Sequence, residues 1–173
     1  MTIAYNTAGG KAVWSSRTRC WYIINNVGSS VGVTPSGRTV VVASYTTGTT
    51  TTTAYATTAY IERTGAPRWS RRYAGPAGYN DNLPAALGIS PDGSTVYVTG
   101  TSDNPASEND YATVAYNVAT GARLWVSRFT GLGNSFDQAS ALAVNPRGGA
   151  VYVTGSSSAG GVLDFATVAY RAG

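Results

Sequence analysis

The chain repeats itself with a period of about 55 residues, and that period limits its fold more than any other feature. Ala4-Tyr5, Ala59-Tyr60, Ala115-Tyr116 and Ala169-Tyr170 recur at spacings of 55, 56 and 54. Trp14, Trp69 and Trp125 recur at 55 and 56, each followed three residues on by an arginine: Arg17, Arg72 and Arg128. Further round the unit come Val31-Gly32-Val33-Thr34-Pro35-Ser36-Gly37, Leu87-Gly88-Ile89-Ser90-Pro91-Asp92-Gly93 and Leu142-Ala143-Val144-Asn145-Pro146-Arg147-Gly148. Shared order at constant period marks one supersecondary unit copied along the chain.

Each unit holds four short β-branched and aromatic segments separated by turn residues, as in Ser140 to Asn145, Ala150 to Gly155, Tyr111 to Asn117 and Ala122 to Phe129. We label them strands a, b, c and d. Pro91-Asp92-Gly93 forms a tight a–b turn, and in Asn117 to Gly121 the glycine supplies positive φ for a c–d turn. The 21 Gly and 7 Pro, with only 12% charged residues, suit an all-β chain. Four antiparallel strands in about 55 residues make one β-propeller blade, whereas a β-sandwich does not repeat one four-strand order along its length. The expected architecture is about three four-stranded blades in a partial ring. Repeat units run over approximately 2–56, 57–112 and 113–166, with a final partial strand at 167–171. The strand count is c and d at the start, two complete units, then a, b and c.

The segments Asp110 to Asn117, Leu124-Trp125 to Phe129 and Ala150 to Ser156 resemble bacterial, actinobacterial-type β-propeller repeat proteins related to the seven-bladed propeller repeat family. Ala115 to Trp125 reads A-x-N-x-x-T-G-x-x-x-W, similar to the tryptophan-docking motif of quinoprotein dehydrogenase propellers. Ala59 to Trp69 lacks the Asn and Ala4 to Trp14 lacks the Thr. The resemblance implies that Trp14, Trp69 and Trp125 pack between adjacent blades. In its sharpest enzymatic form it implies pyrroloquinoline quinone with calcium, but the adjacent cysteines and clustered acids of such sites are missing from this sequence. No cofactor is therefore expected.

The absence of histidine excludes Ser-His-Asp catalysis, Cys-His dyads and imidazole metal sites. The single cysteine, Cys20, forms neither an intramolecular disulfide nor a thiolate zinc cluster and reads as a small buried apolar residue. No metal site is expected. Apolar runs of four residues are far short of the roughly 20 of a membrane helix, so no membrane span is expected. The N-terminus lacks the pattern of a secretory signal, which leaves a cytoplasmic chain, or a secreted or cell-surface one if it is excerpted from a longer precursor. The net charge of +4 is unevenly placed: residues 1–72 hold eight basic side chains against Glu62, and residues 73–173 hold four against seven acids. Only Arg68, Arg71 and Arg72 cluster, which argues against a nucleic-acid partner.

Because strands alternate in direction, the short a–b and c–d turns share one face of the ring and the long b–c and d–a connections share the other. Variable loops on a regular scaffold are where binding resides. Asn25-Asn26, Asp81-Asn82 and Asp137 recur before strand a, and with Tyr79 and Phe136 they form the candidate ligand set on the long-loop face. Two readings stay open: a ring of carboxylates and amides for a cation or sugar hydroxyls, or residues that cap turns through their own backbone. Ser102 to Asp110 reads as a solvated acidic loop, since it lacks the spacing of a calcium loop. The polythreonine segment, Thr46 to Thr53, carries no assigned role.

The repeated arginine has a structural account. Asp110 and Arg128 lie near each other across the c–d pair, and Arg72 lacks such a partner because Ala54 holds the acid's place. Asp164 begins a final strand c without a following d, and its natural partner is Arg17. Three blades do not close comfortably, so the reading is either a head-to-tail homodimer making a six-bladed ring or an excerpt from a longer propeller. Acid–base work needs two poised carboxylates, and only Asp81 and Asp137 are candidates, with no third group to orient them. No catalytic residue is nominated. The expected function is a non-catalytic binding or structural scaffold for a protein or glycan partner; the alternatives are a quinoprotein-like enzyme or fragment, or a lectin.

Overall fold

Wherever the repeat places alternating β-branched, aromatic and small residues, the backbone is extended. The computed structural model describes residues 1–17, 23–48, 52–76, 81–104, 107–132 and 136–171. Among them, thirteen strands run in chain order: β1 (Thr2–Tyr5), β2 (Ala12–Ser16), β3 (Ile23–Val33), β4 (Thr39–Gly48), β5 (Thr53–Ile61), β6 (Pro67–Tyr73), β7 (Asn82–Ile89), β8 (Thr95–Asn104), β9 (Ser107–Asn117), β10 (Arg123–Phe129), β11 (Asp137–Val144), β12 (Ala150–Ala159) and β13 (Val162–Arg171). They form four antiparallel sheets in the orders β1-β2, β3-β4-β5-β6, β7-β8-β9-β10 and β11-β12-β13. The expected all-β fold of propeller blades, with c and d first and a, b and c last, is what forms.

The sheets stack through strand a. Leu87 and Ile89 of β7 lie over Gly32 of β3, and Leu142 and Val144 of β11 lie over Gly88 of β7. Behind these glycines, Val41, Tyr55, Ala59, Val96, Val98, Val114 and Tyr116 make a continuous core between the two complete blades. A second apolar cluster joins Tyr97, Ala115 and Val151 across the next seam. Two of the tryptophans reach into the neighbouring c–d turn, while Trp125 packs against Tyr97 and Tyr170. Trp69 lies over Gly121, where a Cβ would sit 2.6 Å from the indole ring and where the φ of +69° favours glycine in any case, and its indole N–H donates to the Val118 carbonyl at 2.8 Å. Trp14 does the same over Gly65, donating to the Glu62 carbonyl at 2.5 Å.

The b–c connections are shorter than the sequence suggests. The stretches Tyr45 to Ala54, Thr101 to Asp110 and Ser156 to Asp164 read as long loops, yet the paired strands run on into them, to Gly48, Asn104 and Ala159. β12 and β13 close on Gly160-Gly161, both at positive φ, as a two-residue hairpin turn wants. These extensions lack the alternation that marks a half-buried strand: the first two are largely polar, and in the third Val162 and Leu163 are both exposed. Cys20 lies outside the described residues.

The short turns carry one pH-sensitive contact. Asp92 accepts from the Ser90 hydroxyl and from the Ser94 N–H and hydroxyl. These bonds, that of Ser90 foremost, lower its pKa to about 2. A carboxyl depressed in the folded chain stabilises it above the unfolded pKa of about 3.9, and that contribution is lost as pH falls toward 2. The protection of the Ser94 and Thr95 amides, their exchange rate relative to that of an unfolded chain at the same pH, is therefore expected to fall between about pH 4 and 2. In the Asp92→Asn variant the protection shows no such step; an unchanged step there rules the carboxylate out as its origin.

Candidate functional site

The long-loop ends of the complete blades hold a buried polar cluster centred on Arg128. Asp110 is fully buried, and the Arg128 guanidinium meets its Oδ2 at 3.0 Å from Nη2 and 3.1 Å from Nε. From the same side chain, Nη1 donates to the Ser102 hydroxyl at 2.7 Å and to the Tyr73 hydroxyl of the preceding blade at 3.1 Å. Nη2 also donates to the Ser102 and Asp103 carbonyls. Asn104 donates to the same carboxylate oxygen at 2.6 Å. An arginine from strand d thus crosses strand c to strand b and ties two blades together. Its planar fork makes this possible, since a lysine offers one point charge.

Ser102 passes the chain of bonds to Asn82, donating to its Oδ1 at 2.6 Å. The Asn82 amide nitrogen then donates to the Thr53 and Ala74 carbonyls of the preceding blade, and its backbone N–H donates to the Thr53 hydroxyl at 2.6 Å. Asn82 is wholly buried, and Gly75 passes so close that a Cβ there would sit 2.5 Å from the Asn82 Oδ1. Burial raises the pKa of nearby Tyr55 well above its ordinary value, so its hydroxyl stays protonated and donates to the Thr101 carbonyl at 3.0 Å.

The sequence-derived ligand set separates into buried and exposed members. Asn82 and Asp137 sit inside the strands that they were expected to precede, and both are fully buried. Asn82 spends its side chain on the seam between blades, and Asp137 accepts the Gly131 N–H through Oδ2 at 2.6 Å. Asn25 and Asn26 are exposed on β3, Asp81 is exposed, and Phe136 is 38% exposed beside β11. Tyr79 lies outside the described residues. Arg72 is exposed opposite Ala56, and it is Arg71 that enters the seam, donating to the Gly121 and Thr120 carbonyls. Arg17 follows β2 and Asp164 lies in β13, both exposed and in different sheets.

Several participants carry no chemical signature in the sequence. Thr53 belongs to the polythreonine run, and Ser102 and Asn104 lie in a stretch that reads as an acidic loop. The available signal was positional: Thr46, Ser102 and Ser157 recur at 56 and 55 residues, opposite Asn26, Asn82 and Asp137 respectively.

The donor chemistry does not suit a calcium-bound quinone. Among the described residues no group of three or more His, Cys, Asp or Glu lies close enough to hold a metal ion. Asp110 is already committed to Arg128 and Asn104, and Asp137 to the Gly131 amide.

A family model described as outer membrane protein assembly factor BamB matches residues 2–169. Among curated proteins none matches the chain. Among solved structures, one similar chain is the Kuenenia stuttgartiensis hydrazine synthase, with 14% sequence identity and a TM-score of 0.44. The match covers 90% of this chain and 49% of that one, so the chain spans about half the length of that neighbour.

Proposed function

The chain belongs to the family described as outer membrane protein assembly factor BamB, and from that membership we propose that it is a non-catalytic scaffold whose long-loop face receives a protein partner. The observation that carries this reading is the fate of the polar side chains at the blade ends. Asp110, Arg128, Asn82 and Ser102 are engaged with one another and with backbone, which makes a rigid platform and leaves them unfit for proton transfer. Among the described residues, this face offers to solvent Asp81, Asn25, Asn26 and the half-exposed ring of Phe136, together with Leu132, Val162 and Leu163. An aromatic anchor among polar groups suits a peptide surface. The family's description as an assembly factor favours protein over glycan.

Peptide and glycan arrays probed side by side with the labelled chain test the reading. Peptide binding is expected, weakened about tenfold or more by Phe136→Ala and by Asp81→Ala, as for an anchor residue. Binding confined to glycans instead assigns a lectin. A quinone with calcium that raises the melting temperature and supports dye reduction overturns the non-catalytic reading.

A further inference from the structure

The short turns of all four sheets join into one surface. Within each complete blade the a–b and c–d turns lie side by side: the Glu62 N–H donates to the Arg38 carbonyl at 3.1 Å, and the Val118 N–H to the Ser94 carbonyl at 2.8 Å. Between blades, the Trp14 indole reaches the Glu62 carbonyl, and the Arg71 guanidinium reaches the Thr120 and Gly121 carbonyls. Gly93 in one a–b turn abuts Pro35 in the turn before it, a Cβ there lying 3.3 Å from the proline ring. A cleft of about 260 Å³ separates Pro91 and Asp92 from the next a–b turn, Pro146 to Gly149.

This surface is strongly basic. Lys11, Arg38, Arg63, Arg68, Arg123 and Arg147 stand on it, all exposed, against Glu62 and Asp92. Arg71, spent on the neighbouring turn, and Arg171 at the end of β13 add to the same sign. The long-loop ends of the blades hold the other acids, Asp81, Asp103, Glu108, Asp110, Asp137 and Asp164, against Arg17, Arg72 and Arg128 among the described residues. The uneven charge of the sequence, basic up to residue 72 and acidic after it, thus becomes in the fold a difference between the two ends of the blades.

Stacking of blades does not cover these places. The second complete blade has a sheet packed on either side of it. There Ser94, Ala119 and Leu124 hold the places of Arg38, Arg63 and Arg68, while Asp92 holds that of Arg147 and Ala122 that of Lys11, and every one of them is exposed. The turns project along the ring axis, so a neighbouring sheet lies beside them. In the first complete blade Arg38, Arg63 and Arg68 converge on one cleft of about 340 Å³ with Glu62 at its side. Among the described residues none of the three is tied to an acid.

An arginine fork fits a carboxylate or a phosphate equally well. The two acids on this face decide between them. Asp92 is fixed by Ser90 and Ser94 and keeps its charge at neutral pH, and Glu62 lines the cleft of the three arginines. Duplex DNA and an anionic bilayer present phosphates as a dense array, which brings like charge onto both acids. A polypeptide places its carboxylates singly and can meet Glu62 and Asp92 with neutral or basic side chains. We propose that the short-turn face is a second docking surface, one that takes an acidic protein segment with its carboxylates in the Arg38, Arg63 and Arg68 cleft and beside Arg147. It lies at the opposite end of the blades from the long-loop face and does not rest on the reading given for that face. The field of the basic turns speeds and orients the encounter.

Fluorescence anisotropy of a labelled glutamate-serine repeat peptide with the full chain tests this, with an all-serine peptide as the blank. The glutamate peptide is expected to bind at physiological ionic strength, more weakly as salt rises, and the blank not to bind. Arg38→Ser, Arg63→Ala and Arg68→Leu together install the residues that the second complete blade carries at those places, so circular dichroism should be unchanged. This triple variant is expected to raise the dissociation constant about tenfold or more. Arg72→Ala, exposed at the far end of β6, is expected to leave it unchanged. No binding of the glutamate peptide at physiological ionic strength overturns the proposal, and so does binding that the triple variant keeps. Tighter binding of duplex DNA or of phosphatidylglycerol vesicles in the same assay overturns it as well, by assigning the face to a phosphate array.

Discussion

Replacing Arg128 by alanine is expected to destabilise the chain by about 3–5 kcal/mol, the range for breaking a buried ion pair from one side. Asp110 is fully buried, and in the variant its carboxylate keeps the Asn104 amide but loses the guanidinium charge. The Ser102 carbonyl, the Ser102 hydroxyl and the Tyr73 hydroxyl lose a charged donor at the same time. For a chain of this length that corresponds to a fall in Tm on the order of 10 °C, read by calorimetry. Arg128→Lys should recover only a minor part, since an ammonium cannot span three strands. Removing charge from both partners, with Asp110→Asn and Arg128→Met together, should cost less than Arg128→Ala alone, because no uncompensated charge stays buried. The internal control is Arg72→Ala: the same place in the repeat, but exposed and without an acid at Ala54, so a change below about 0.5 kcal/mol is expected. Equal losses for Arg72 and Arg128 would show that the motif, not the buried pair, carries the effect.

Gly100→Ala is the second large effect, expected at about 3 kcal/mol, the upper end of the overpacking range. A Cβ at this position falls onto the Leu83 carbonyl oxygen, 2.6 Å from Pro84 Cα and 2.9 Å from the Ala85 nitrogen. All three are backbone atoms of β7, at the point where its register against β8 shifts between Pro84 and Ala86, and none can rotate aside. The glycines in the seams differ: at Gly88 an added methyl meets only the ends of Leu142 and Val144, which can yield. Urea unfolding should show a lower midpoint for Gly100→Ala without a change of slope, and the same for Gly155→Ala, where the Gln138 carbonyl blocks the site. A loss below about 0.5 kcal/mol in both variants would mean that the bulge relaxes freely.

The blades were legible because their signals are local. Val96-Tyr97-Val98 and Tyr111 to Asn117 alternate between two covered faces, and Pro91-Asp92-Gly93 states its turn outright. The approach of Asp110 to Arg128 followed from strand direction and the c–d turn alone, and the structure places them 3.0 Å apart. The roles of Thr53, Ser102 and Arg71 were not legible, because a hydroxyl or a surface-type arginine names no partner. Their partners lie 29, 26 and 50 residues away, across a seam or across a blade. Asn82 and Asp137 show the same limit. As residue types they suit a ligand ring or a turn cap equally, and their complete burial between strands was not visible in their identity.

By itself, then, the sequence determined the period, the four-strand unit and the order of thirteen strands, since each depends on residues a few positions apart and on a repeat that copies them. Only the tertiary structure decided which polar side chains are buried, which glycines are pressed by a neighbour and which seam positions stand uncovered. Those depend on how one sheet stacks on the next, at distances set by side-chain volume, and the same tyrosine position is sealed as Tyr55 and Tyr111 and open as Phe165.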